Sequence, residues 1–365
     1  VYNFTLKPEA RKLDEVVVVG YGTTRLRDLT GSVSSVGAAD LEKEPVMNVA
    51  SALQGKAPGV QVSMASAKPG EPVKIRVRGS TSLEGTNEPL YVIDGIPMYN
   101  VSNGGDTEFG SRGATEAIAD LNPEDIESMS VLTGASAAAL YGSSAANGAI
   151  MITTKKGQAG TFSASYSNHT DFLKPFVMPK FQNRYGTGSY GKSSGSPIYS
   201  WGEKLTDAAR TGYTPDDFFE TGYVTTNSVT LSGGTEKNQM FFSAASVNSE
   251  GIIPNNLYDR YNFTFRNTSH FLKDRLRVDV GANYIVQKDQ NMTNQGVYSN
   301  PLVSAYLFPR GDSFEAAKIF ERWDPARKIA VQYWPQGEGG DLRMQNPYWI
   351  CLLYTSDAAD DRISV

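Results

Sequence analysis

From Gly157 onward, apolar and polar residues alternate with period two over long segments. Phe162, Ala164 and Tyr166 alternate with Ser163, Ser165 and Ser167, and Tyr261, Phe263 and Phe265 with Asn262, Thr264 and Arg266. Leu276, Val278, Val280 and Tyr284 alternate in the same way with Arg277, Asp279 and Asn283. Each pattern predicts a two-faced β-strand. Residues 223–232 and 238–248 alternate less cleanly but have the aromatics and the length of two more strands, five in all. Their connections are unequal: about four residues at 233–237 and 272–275, but nearly fifty at 173–221. Short turns on one side and long loops on the other predict the wall of a transmembrane β-barrel.

Before Gly157 the pattern is mixed. Residues 1–12 alternate weakly and read as the end of a preceding domain or a linker. Residues 13–27 hold acids, a β-branched run and a glycine turn, which predicts one extended segment. Residues 28–160 predict a compact α+β domain, with a short helix at 48–54 and strands at 60–62, 73–77 and 91–93. A helical turn at 122–126 precedes another strand at 129–132. Asp94-Gly95 between apolar runs is a hairpin-turn signal rather than a catalytic aspartate. Arg76 and Arg78 share the face opposite Ile75 and Val77, where they either meet water or pair with acids on a barrel wall. The small-residue stretch 134–148 is expected to be the locally weak part of this domain.

Composition narrows the functional classes. Mean hydropathy is −0.35 and no window approaches the run of about 18 apolar residues of a spanning helix. That leaves a β-barrel open, because its strands average out as polar. The net charge of −5 lacks the basic footprint of a nucleic-acid binder. One cysteine, Cys351, and two histidines, His169 and His270, supply neither a disulfide framework nor a zinc centre, so no cofactor or metal is expected.

Two glycine motifs imitate nucleotide-binding loops. Gly186-Thr187-Gly188-Ser189-Tyr190-Gly191-Lys192-Ser193 fits the phosphate-loop spacing, yet Pro175 and Pro179 precede it and Pro197 follows, where a strand and a helix are required. Val16-Val17-Val18-Val19-Gly20-Tyr21-Gly22 begins like a dinucleotide fingerprint, but Arg25 stands where close helix packing demands the third glycine. Both are expected to be inert toward nucleotides.

Taken together, 13–23, Leu53-Gln54-Gly55-Lys56-Ala57-Pro58-Gly59-Val60, Arg76-Val77-Arg78-Gly79 and Pro89-Leu90-Tyr91-Val92-Ile93-Asp94-Gly95-Ile96-Pro97 resemble the SusC/RagA family of TonB-dependent outer-membrane transporters. Asn122-Pro123-Glu124-Asp125-Ile126, the run 135–142 ending in Tyr141-Gly142, and 146–157 beginning Ala146-Asn147-Gly148 extend the match, while Thr133-Gly134 departs from the Lys-Asp of many members. The resemblance implies a plug domain, 28–160, inside a barrel of about 22 strands, of which 161–350 would hold the first five plus long loops. Such a sheet cannot close, which predicts a piece of a longer protein. The resemblance further implies a TonB box at Asp14, Glu15, Val16, Val17, Val18 and Val19, suited to adding a strand to TonB. It makes Arg76, Arg78, Gly79, Asp94, Gly95, Tyr141, Gly142, Asn147 and Gly148 structural plug residues. The implied partners are TonB energised by ExbB/ExbD, a SusD-like lipoprotein, a glycan or peptide substrate and outer-membrane lipid, and the implied site is the cell outer membrane. A siderophore or cobalamin receptor shares the architecture but not the whole motif set. Residues 351–365 neither alternate nor continue the pattern and read as a non-native tail.

Overall fold

The structure, a computed structural model, describes residues 16–19, 22–25, 33–41, 49–64, 73–79, 87–98, 121–192, 198–207, 215–291, 296–298, 300–311, 313–334 and 345–354. Segment 1–12, Asp14, Glu15 and everything after Tyr354 lie outside these residues. The chain opens with a hairpin, β1 (Val16–Val19) paired antiparallel with β2 (Gly22–Arg25).

The α+β domain follows. Its elements are β3 (Val33–Gly37), α1 (Ala38–Leu41), a 3-10 turn at Val49–Leu53, β4 (Val60–Met64), β5 (Val73–Val77), β6 (Leu90–Ile93) and β7 (Ile96–Met98). After a 3-10 turn at Pro123–Asp125 come β8 (Ile126–Leu132), α2 (Gly134–Tyr141) and β9 (Ala149–Thr154). The main sheet runs β3-β8-β9-β6-β7, with β6 and β9 parallel and the other pairs antiparallel. Both faces are covered, so the central strands β6 and β9 open on continuous apolar runs, Leu90–Ile93 and Ala149–Ile152, rather than alternating. Tyr91, Met129, Val131, Ile150 and Ile152 pack beneath the separate β4–β5 hairpin and the Val49–Leu53 turn. Leu90, Val92, Leu132, Ala149 and Met151 pack beneath Ala137 of α2 and Ala145.

The small residues of 134–148 bring α2 close to its neighbours. A Cβ on Gly134 would lie 2.4 Å from the Ala146 carbonyl oxygen. Gly148 has φ +99, and a Cβ there would meet the Leu132 carbonyl oxygen at 2.9 Å. Gly134→Ala should therefore destabilise the domain by about 1–3 kcal/mol, the usual cost of overpacking, read as a lower urea midpoint for a 28–160 fragment. An unchanged midpoint would mean that α2 can shift freely.

The second half is an antiparallel meander of five long strands: β10 (Gly160–Leu173), β11 (Gly222–Thr235), β12 (Asn238–Glu250), β13 (Leu257–Phe271) and β14 (Leu276–Gln290). At 13 to 15 residues they exceed the roughly 9–11 that cross a bilayer when tilted, so one end of each projects. The outward rows mark where. Tyr166, Val229, Ala244, Phe263 and Tyr284 stand in one cross-strand row, with Ala164, Leu231, Phe242, Phe265 and Ala282 in the row on its hairpin-turn side. Two rows toward the long loops, the outward residues are Thr170, Thr225, Asn248, Asp259 and Lys288, all polar. An apolar band edged by tyrosine and ending in polar residues is the outer face of a membrane barrel. The inner face inverts the rule of soluble proteins: Arg260, Asn262, Thr268, Ser228 and Ser243 are buried while Phe263 and Phe265 are exposed.

On the long-loop side, aromatics from three separated segments form a core of their own. Phe218, Phe308, Phe314, Trp334 and Tyr348 pack edge to face, Phe308 and Phe314 with ring centroids 4.9 Å apart. A small hairpin, β15 (Glu321–Asp324) with β16 (Ile329–Gln332), belongs to the same region. Cys351 is fully buried in this core, burial pushes its thiol up to about 12, and its carbonyl accepts from Asn255 Nδ2 at 2.9 Å. Cys351 and Leu352 thus pack into the fold.

Candidate functional site, the interface between plug and wall

One end of the α+β sheet faces the inner side of the wall. That end gathers the C-termini of β6 and β9 and the turn entering β8, because β6 and β9 run parallel and β8 runs against them. Asp94, Asn122, Glu124, Asp125 and Thr154 project there. The sequence supplies the turn by design: Asn122 caps it, its side-chain oxygen accepting from the Glu124 amide, and Pro123 takes the first position, where no amide donor is needed.

This single turn touches four successive wall strands. Asn122 Nδ2 donates to Ser228 Oγ on β11 at 3.3 Å and to Asp125 Oδ1 at 3.2 Å. Ser167 on β10 donates to Glu124, and Thr264 Oγ1 on β13 donates to Asp125 Oδ2 at 2.9 Å. Ser243 on β12 also bonds Asp125. The four hydroxyls are prealigned, Ser167 opposite Ser228 and Ser243 opposite Thr264 in the wall's register. Burial pushes the Asp125 carboxyl above its usual range, opposed by the Ser243 and Thr264 hydroxyls, the Lys155 charge and Asn122.

Beside this row lies an ion pair. Asp94 sits in the β6–β7 turn with φ 49, followed by Gly95 at φ 87, the left-handed pair that a tight hairpin needs. Its carboxylate accepts from the Thr154 amide at 3.0 Å and the Thr154 hydroxyl at 2.7 Å. Arg266, on the inner face of β13, places Nη2 2.9 Å from Asp94 Oδ2 and Nη1 on Thr154. Of the two alternatives for Arg76 and Arg78, water or acids on the wall, the structure shows both arginines exposed, while the plug–wall ion pair is made by a plug acid and a wall cation. Arg78 instead secures backbone, its amide donating to the Gly59 carbonyl at 2.8 Å, and Gly79 follows at φ 95.

Tyr141 packs against the α2 side of the core, with Gly142 at φ 71 ending the helix and Asn147 next to Gly148 in the return to β9. Among the residues expected to meet TonB, Val16–Val19 form β1, and Asp14 and Glu15 fall outside the described residues. The phosphate-loop match lacks its scaffold, since 186–192 are bends and isolated bridges to 199–204, with the Gly186 amide donating to Glu203 and Gly188 to Tyr199. Those amides are spent within the loop.

A family model described as the TonB-dependent receptor plug domain matches residues 25–149. The TonB-dependent receptor SusC of Bacteroides thetaiotaomicron is 34% identical over 358 residues, 97% of this chain and 33% of its own. The chain belongs to the TonB-dependent receptors of the SusC/RagA type. The RagAB peptide importer has the same fold over 78% of this chain and 33% of its own, with a TM-score of 0.59 at 22% identity. A ferric enterobactin receptor of Pseudomonas aeruginosa is 35% identical, but over 150 residues, 40% of this chain and 19% of its own. The chain spans about a third of the length of SusC. The SusC/RagA-type receptor therefore carries here its plug and the first wall strands, with no closed barrel among the described residues, and its place is the bacterial outer membrane. The proteins it matches are transport receptors rather than enzymes.

Proposed function

We propose that the full-length protein imports an oligosaccharide or oligopeptide across the outer membrane, driven by TonB and ExbB/ExbD and catalysing no reaction. One observation carries this reading: identity with SusC extends through plug, wall and loops over 97% of the chain, whereas the enterobactin receptor aligns over 40%. TonB adds a strand to Asp14–Val19 and pulls, and the plug leaves the wall at the interface of Asp94, Asn122, Glu124 and Asp125. The long loops, with Tyr190 and Trp201 exposed, meet the substrate and a SusD-like lipoprotein lid.

The test is growth. A Bacteroidota strain lacking the full-length gene should lose growth on particular glycans or peptides and keep growth on monosaccharides and free amino acids. A defect confined to ferric siderophores or cobalamin would overturn the reading in favour of the smaller-cargo receptors.

A further inference from the structure

Arg266 is placed between two carboxylates that belong to different bodies. Asp94 on the plug lies 2.9 Å from Nη2, and Asp279 on wall strand β14 lies 3.5 Å from Nε. The Arg266 side chain is 14% exposed, so losing the plug acid with no replacement would leave a largely desolvated cation, a costly state. Asp279 is the replacement at hand. It stands one inward position from Gly281, the residue directly opposite Arg266, and a Cβ on Gly281 would approach nothing closer than Arg266 Nε at 3.9 Å. The space beside the guanidinium is therefore open on the Asp279 side. Asp279 is itself held loosely, by Arg277 Nη2 at 3.5 Å.

The other half of the pair is equally provided for. Asp94 keeps both Thr154 bonds when it moves, because Thr154 is on β9 of the same plug sheet. Neither ion is orphaned by separation. An ion pair built only for stability would need no second acid on the wall.

We infer that Arg266 is the plug's release latch, passing from Asp94 to Asp279 as the plug withdraws, so that undocking exchanges one ion pair for another. This rests on the transport reading above and makes Arg266 and Asp279 positioning residues for plug movement. The two acids then have opposite effects when neutralised. Asp94→Asn weakens the docked state alone. Asp279→Asn weakens the released state most, because in the docked state Asp279 lies 3.5 Å from Arg266 while Asp94 lies at 2.9 Å, and it tips Arg266 toward Asp94.

The experiment uses the full-length receptor in planar bilayers, with KCl conductance reporting the closed state and the force needed to extract the plug by its N-terminus reporting release. Asp94→Asn should raise open-pore events several-fold and lower the force. Asp279→Asn should leave conductance at the parent level and raise the force. Asp279→Asn with a parent or lowered force, or with leakage like that of Asp94→Asn, would overturn the latch. If Asp94→Asn does not reach the membrane, Thr154→Val, which removes a hydroxyl bonded to both Asp94 and Arg266, carries the same expectation of leakage and lower force. A plug-deleted receptor that conducts no KCl would count against the transport reading, while the ordering of extraction forces would still decide the latch.

Discussion

Val17→Pro in the full-length receptor should abolish TonB-dependent import while leaving the protein in the outer membrane at normal level. β1 pairs with β2 along one edge, Val17 opposite Thr24, and its other edge has no strand partner among the described residues. A partner recognised by strand addition depends on main-chain hydrogen bonds, so side-chain changes that keep the strand are tolerated and loss of an amide is not. Proline removes a donor and fixes φ near −65°, away from the extended values that the ladder requires. Val17→Thr keeps the amide and the β-branch and serves as the control, with import at the parent rate. The readout is uptake of a labelled substrate identified by the growth test, in strains with and without TonB. Normal import by Val17→Pro would place the TonB contact elsewhere in the chain.

Much of the architecture is legible because it is periodic. Clean alternation places three wall strands, aromatics and length place the other two, and the β4, β5 and β6 segments lie within a residue or two of where apolar runs and the Asp94-Gly95 turn put them. What is illegible has no period. Helix α2 and the return that leads into β9 are rich in alanine, serine and glycine, and the close approach that Gly134 and Gly148 permit is visible only once Ala146 and Leu132 stand opposite them. The loop core draws Phe218, Phe314 and Tyr348 from segments separated by long stretches, and isolated aromatics in loops carry no signal of their partners. The plug–wall contacts are hidden for another reason. Serine and threonine on the polar face of a barrel strand are indistinguishable from ordinary lumen residues, and only the register sets Ser167 opposite Ser228 and Ser243 opposite Thr264. Asp94 was readable as a turn residue, and that correct reading concealed its second partner, Arg266, 172 positions away.

The two halves of the chain should behave oppositely when separated. Residues 28–160 should be monodisperse and unfold cooperatively in buffer, whereas 161–350 should aggregate without detergent. The plug sheet is covered on both faces by its own elements, the β4–β5 hairpin with the Val49–Leu53 turn on one side and α2 on the other. Its wall-facing end presents Asp94, Asn122, Glu124 and Asp125, groups that water solvates as well as the wall's hydroxyls do, so undocking exposes little apolar surface. The wall has the reverse arrangement. Phe162, Tyr166, Phe242, Tyr261, Phe263, Phe265, Val278, Val280 and Tyr284 are exposed on its outward face, a patch far larger than a soluble monomer presents. Among the described residues β14 has no second strand partner along its 15 residues, an edge ready to pair with another copy. The loop core of Phe308 and Trp334 lies on the long-loop side and includes no residue of that band. Sedimentation velocity on the two fragments decides the matter. A 161–350 fragment that is monodisperse and cooperatively unfolding in plain buffer would mean that the outward aromatic rows meet protein rather than lipid.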